Sequence, residues 1–173
     1  MAFSIYDASI PVYVRMLTNL SAILGKAEAW AATSGVALST LAEARLAPDM
    51  HPLTRQVQMA SDAAKTGAAR LAGVEAPSMP DTETTFPELQ TRIARTIDFV
   101  QSVSRDQIDG AEDRIVELPL PGRTVAFSGR DFLLQFSLPN FLFHVVTAYD
   151  VLRHQGAPLG KTDFLLGAGP MPA

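Results

Sequence analysis

The chain contains no cysteine, which excludes disulfide staples, thiolate metal sites, iron–sulfur clusters and a catalytic thiol. Charge is scarce as well. Of its 173 residues, 18% are Asp, Glu, Lys or Arg, against roughly 25% in an average soluble domain. Positive charge is the minority, with 14 Lys+Arg against 18 Asp+Glu and a net charge of −4. The basic face of a nucleic-acid binder is therefore missing, and no nucleic-acid partner is expected. A GxxxxGK[ST] phosphate loop, a GxGxxG turn after a strand and a GxSxG nucleophile elbow are also absent. The N-terminal MAFSIYDASIPVYVRM has no cationic start and no long apolar run, and it carries Asp7. It does not read as a secretory signal, and a cytoplasmic protein is expected.

One long uncharged run exists. Between Asp131 and Asp150 the chain reads FLLQFSLPNFLFHVVTAY, 18 residues without a formal charge. That reaches the lower limit for a membrane-spanning helix. Gln135, Ser137, Pro139, Asn140, His144 and Thr147 interrupt it, however, and no Lys/Arg cluster flanks it. Weak summed apolarity favours a buried helix over a membrane span, so no membrane partner is expected. Its aromatic stripe, Phe132, Phe136 and Phe143, reads as core.

The rest of the chain is patterned as helices. Ile5, Val12, Met16, Leu20, Ile23, Ala27 and Trp30 recur at helical spacing over about 4–32. Pro11 is expected to bend that helix or mark where it becomes regular. A short turn of helix is expected at Ser39–Arg45, capped by Ser39. Pro52 suits the first position of the next helix, with His51 at or beside its N-cap, and Gly73 suits the position past its end. Leu53, Val57, Ala60, Ala64 and Leu71 form its apolar face, and His51, Arg55, Gln58 and Asp62 a polar stripe. That stripe reads as solvated, with an Arg55–Asp62 contact. APSMPDTETT is a linker. Thr85 and Glu88 then form a capping box for a helix to about Val103, with Leu89, Ile93, Ile97 and Val100 inward and Gln90, Arg92, Arg95, Asp98 and Gln101 on a solvated surface. Ile115–Leu118 and Arg123–Phe127 flank the Pro121-Gly122 turn signal and predict a small edge hairpin. The last long helix opens at Ser128 or Gly129, is broken or kinked at Pro139, and runs to about Gln155. The tail after it is expected to be irregular. These elements predict an all-α, up-down four-helix bundle with a small β-hairpin before the last helix. It forms a single domain over 1–167, followed by an irregular stretch over 168–173.

Three histidines supply the candidate chemistry: His51, His144 and His154. His144 lies within an apolar stretch. It reads either as a core histidine bonded to a neighbour or as a metal ligand or general base in a bundle pocket. His51, at the start of a helix, is its possible partner. An HxxxH pair would need a second histidine at position 148, where the chain has Ala148. His154 is too far along the helix to share an ion with His144. Two imidazoles fall short of the three or four protein ligands zinc normally takes, unless Asp49 or Asp62 completes the shell. Asn140 shares a helix face with His144. With Gln135 it indicates a pocket or polar network within the uncharged run.

The segments LAPDMHPLTRQVQMASDAAKTGAARLAG, TFPELQTRI and LPNFLFHVVTAYDVLRHQGAPLGKTDFLLG resemble an uncharacterised bacterial domain-of-unknown-function family. It belongs to the DinB/YfiT-like superfamily of four-helix bundles, and the resemblance spans Tyr6 to Gly167. It implies a bundle fold, frequent homodimers and a pocket in which many members hold a divalent metal. There the ligands are one His near the second helix and an HxxxH pair on the fourth. His51 resembles the first ligand and His144 the first of the pair, while Ala148 departs from the pattern. The resemblance also implies a thiol-dependent transferase activity, known for some relatives. Two functions follow as expectations. One is a divalent-metal-dependent (zinc or nickel) transferase or hydrolase with an incomplete site at His51 and His144. The other is a non-catalytic, dimeric small-molecule-binding or structural module without a metal. In either, a ligand would meet Arg55, Asn140 and Tyr149.

Overall fold

In the computed structural model, which describes residues 4–167 and Gly169, two of the long helices, the first and the fourth of the chain, open on a capping box. Helix α1 (Ile5–Ser34) starts after Ser4, whose N–H donates to the Asp7 carboxylate at 3.1 Å. It runs through Pro11, so that proline marks no boundary. Helix α2 (Leu38–Glu43) is capped by Ala37 and contains Ser39 instead of being capped by it. Helix α3 (Leu53–Ala72) takes Pro52 as N-cap, placing His51 just outside. It ends at Gly73, whose φ of 70° is the left-handed conformation a side chain disfavours. Helix α4 (Phe86–Ser102) carries the expected capping box, with Glu88 accepting from the Thr84 and Thr85 N–H groups at 2.8 and 2.9 Å. Those bonds hold the Glu88 carboxyl below its ordinary range.

A short helix α5 (Arg105–Ile108) leads to the hairpin of β1 (Ile115–Leu120) and β2 (Arg123–Ser128). The strands pair antiparallel from Ile115↔Ser128 to Leu120↔Arg123. Pro119 is tolerated because a two-stranded sheet has only edges. The last helical region opens at Gly129 as α6 (Gly129–Asp131), passes through a π-helical turn (Phe132–Ser137) and continues as α7 (Leu138–His154). The expected break at Pro139 takes this wider form. A proline cannot donate to the carbonyl four residues back and its ring crowds that carbonyl, and a π turn places the misfit inside a continuous rod. The tail is less irregular than expected, for α8 (Lys161–Leu166) folds back onto α1. Its Asp163 pairs with Lys26 at 2.9 Å. The 168–173 stretch lies outside the described residues apart from Gly169.

Helices α1 and α3 each pack against both α4 and α7, so the core sits among all four. Tyr13 of α1, fully buried, meets Phe141 of α7 edge to face at 5.2 Å. Its hydroxyl bonds Ser137 Oγ at 2.7 Å. Burial pushes the Tyr13 phenol well above its ordinary pKa. Gly67 of α3 makes this junction possible, because a Cβ there would run into both hydroxyl oxygens. The uncharged run is buried on one side only. Phe132, Phe141, Val145 and Ala148 are inside, whereas Leu134 (54%), Phe143 (56%) and Val146 (39%) are exposed. Phe143 is therefore not core, and Gln135 faces outward instead of into a polar network. The stretch Gly129–His154 is long and apolar enough to cross a membrane by length and composition, and 44% of its most apolar window is buried in the fold. A bundle's core helix meets the same test.

Candidate functional site

The α3–α7 seam carries the histidine chemistry. His144, 6% exposed, points from α7 toward α3 and shares a 2.9 Å hydrogen bond between its Nδ1 and Gln56 Oε1. Gln56 Nε2 donates to the His51 carbonyl at 3.2 Å. That second bond fixes the amide: its oxygen faces the imidazole. A carbonyl oxygen only accepts, so His144 Nδ1 carries the proton and Nε2 keeps its lone pair. Burial, then the charges of His51 and Arg55, hold the His144 pKa below its ordinary 6.5. His144 is thus a neutral imidazole whose Nε2 is an acceptor or base.

Arg55, beside Gln56 on α3, is half-buried; its guanidinium donates to Gln58 Oε1 at 3.3 Å and to the Asp81 carboxylate. It does not reach Asp62, as the helical stripe predicted. Asp62 instead accepts from Arg92 at 2.8 Å and from Lys65 at 3.0 Å. Arg92 itself, expected on a solvated face, has a side chain only 1% exposed. Its Nε donates to Ser61 Oγ at 3.1 Å, Nη1 to Glu83 and to the Pro80 carbonyl at 3.0 and 3.2 Å, and Nη2 to Asp62 at 2.8 Å, while the Asp81 carboxylate forms an ion pair with Nη2 at 2.9 Å. A guanidinium offers five N–H groups, and four hydrogen-bond partners, two of them carboxylates, surround it together with the Asp81 carboxylate. That pairing is what makes its burial tolerable. Arg92 shares a helix face with Leu89 and Thr96, and the acidic pair Asp81 and Glu83 precedes it in the linker. A cation on an apolar face after an acidic linker was the signal for this cluster. Gln56 is similar: it lies among Leu53, Val57 and Ala60 on the apolar face of α3, where a polar side chain needs a partner.

The remaining expected site residues divide. Asn140, half-buried one turn before His144, makes no side-chain hydrogen bond among the described residues. Tyr149 turns away, because five residues from His144 is about 140° round a helix. Its ring meets Phe164 at 6.1 Å, beside a recess of about 180 Å³ shared with Val146, Asp150 and Lys161. His154 is exposed in the last turn of α7.

The seam does not fit a divalent ion. A Gln56 acceptor on Nδ1 would suit a metal-bound imidazole, whose other nitrogen is usually so held. The donor count decides against it. His51 is exposed, Ala148 is buried where a further ligand would project, and no three His, Asp or Glu side chains converge among the described residues. Neither Asp49 nor Asp62 completes the pair.

The mostly helical bundle with a hairpin before its last long helix is of the DinB-like class, as its likeness to a solved member shows. The chain aligns at 39% identity with a DinB family member from Shewanella denitrificans whose crystal structure was solved at 1.83 Å resolution. That match covers 97% of this chain and 93% of that one, with a TM-score of 0.86. The chain belongs to the family described as Domain of unknown function (DUF1993), whose model matches residues 5–165. A comparison with curated proteins gives no match.

Proposed function

We propose that the chain is a non-catalytic, dimeric module that binds a small molecule at the His51–Arg55–His144 seam without a metal ion. The observation that carries this reading is the chain of contacts from His144 Nδ1 through the Gln56 amide to the His51 carbonyl, in a seam where no three His, Asp or Glu side chains converge among the described residues. A neutral acceptor nitrogen beside a half-buried guanidinium suits recognition of a ligand that has a hydrogen-bond donor and a negative group. Asn140, free of internal side-chain bonds among the described residues, supplies a further polar contact on the same face of α7. Tyr149 drops out of the ligand contacts because of the direction in which it points.

The competing reading, a zinc- or nickel-dependent transferase or hydrolase, requires a third ligand that Ala148 does not provide. Metal analysis of protein purified without a histidine tag and incubated with zinc or nickel separates the two. We expect no stoichiometric ion. One ion per chain, lost in His144→Ala, overturns this reading and restores the enzyme.

The homodimer rests on the outer face of α7. Phe143 and Val146 are exposed there, as is Leu134 in the π turn before it, within a stretch that bears no formal charge. Two copies related by a twofold axis would bring apolar surface together without opposing like charges. This reading has the protein acting in the cytoplasm, away from nucleic acid and membranes, in keeping with its acidic composition.

A further inference from the structure

The linker between α3 and α4 is tied down by its own acidic residues. Met79 is buried against Thr96, whose hydroxyl lies 3.8 Å from its sulfur. Asp81 and Glu83 reach the buried Arg92, and Glu83 also accepts from Gln58 at 3.1 Å. The two oxygens of Asp81 have different partners. Oδ1 is 2.9 Å from Arg92 Nη2, whereas Oδ2 takes the Arg55 guanidinium. Arg92 is inaccessible, with a side chain 1% exposed, but Arg55 is 38% exposed. An incoming anion can therefore reach Arg55 and cannot reach Arg92.

We propose that the 74–85 linker is a strap anchored on Arg92, and that its Asp81 is a built-in carboxylate competing with a small oxyanion, a carboxylate or phosphate, for Arg55. This rests on the reading of Arg55 as a ligand contact and adds the regulation of that site. The strap need not leave the protein for the exchange to occur. Glu83, the Pro80 carbonyl and Asp81 Oδ1 all stay on Arg92 while Oδ2 gives up Arg55. The Arg55–Asp81 pair is partly exposed, and exposed pairs are weak. An anion in millimolar excess can displace such a carboxylate, whereas the buried Arg92 contacts hold. Because Arg55 precedes Gln56, which holds His144, the exchange changes the charge presented to the seam and leaves the seam's hydrogen bonds in place.

Titration with inorganic phosphate, and in a parallel arm with succinate, tests this on the full chain, on Asp81→Asn, on Arg55→Gln, and on the two changes combined. The amide of Asp81→Asn keeps an oxygen for Arg92, so the fold is retained, which circular dichroism checks. We expect Asp81→Asn to bind one or both anions about 2- to 5-fold more tightly than the natural chain, the range set by the worth of an exposed ion pair. Adding Arg55→Gln should abolish the gain. The anion that gains more identifies the ligand class. Equal binding by the natural chain and Asp81→Asn, with both weakened by Arg55→Gln, overturns the competition but leaves the ligand site standing. A gain that survives Arg55→Gln overturns it by placing the anion on Arg92. No binding by any variant overturns both the competition and an anionic ligand at Arg55.

Discussion

His144 shows how one buried side chain sets a pH response. Its folded pKa lies below 6.5, so the unfolded chain takes up a proton first as the solution is acidified. Stability is full above 6.5 and declines as pH falls from there toward the lowered native value. His144→Gln should flatten that decline, measured as urea midpoints against pH; an unchanged slope would deny the imbalance. The sequence marked His144 by its apolar neighbours but said nothing of its tautomer, which depends on Gln56 and the His51 carbonyl across the seam. Gly67 offers a second test. Gly→Ala inside a helix ordinarily gains about 0.5–1 kcal/mol. Here the new methyl would meet the Tyr13 and Ser137 hydroxyls, and overpacking typically costs about 1–3 kcal/mol. Gly67→Ala should therefore destabilise, and adding Tyr13→Phe should recover part of the loss. A stabilised Gly67→Ala protein would show that the junction is looser than described.

Among the elements, α4 and the strap depart most from what periodicity foretells. The capping box at Thr85 and Glu88 was readable, because such caps are local. The burial of Arg92 was hinted at only by its place among apolar residues after an acidic linker, because a helical pattern cannot say which loop will fold over a polar face. Asp81 and Glu83 are eleven and nine residues before Arg92, and only the fold brings all three together with Asp62. Arg92→Ala should cost about 3 kcal/mol, the low end for breaking a buried pair. The orphaned carboxylates, 14–37% exposed, regain water. It should also make residues 74–85 the first site of limited proteolysis, with helix content retained. Cleavage elsewhere, or an unaltered pattern, would mean that Met79 and packing hold the strap. The π turn before Pro139 was foreseen only as a break, since the residues say that a proline disturbs a helix but not how the neighbouring turn absorbs it.

For the molecule as a whole, the scarcity of charge pointed to the right helix and overstated its burial. The run from Phe132 to Tyr149 is one wall of the bundle, apolar on its inner face for the core and apolar on its outer face for another reason. If that reason is a second copy, light scattering should give twice the 18.6 kDa chain mass. Phe143→Asp should then halve it without loss of helix signal, and a monomeric natural chain would remove the dimer. The bundle followed from hydrophobic spacing, caps and turn residues, which are short-range properties. The seam did not, because its chemistry lies in contacts between residues 88 positions apart.

The proposed function requires a neutral acceptor nitrogen on His144 and no metal ion in the seam. Nitrogen NMR of its imidazole tests this most directly, recorded at neutral pH before and after one equivalent of zinc or nickel. We expect a protonated Nδ1, an unprotonated Nε2 and no change with either ion. A protonated Nε2, or an Nε2 signal that shifts or broadens in step with one bound ion per chain, would contradict it.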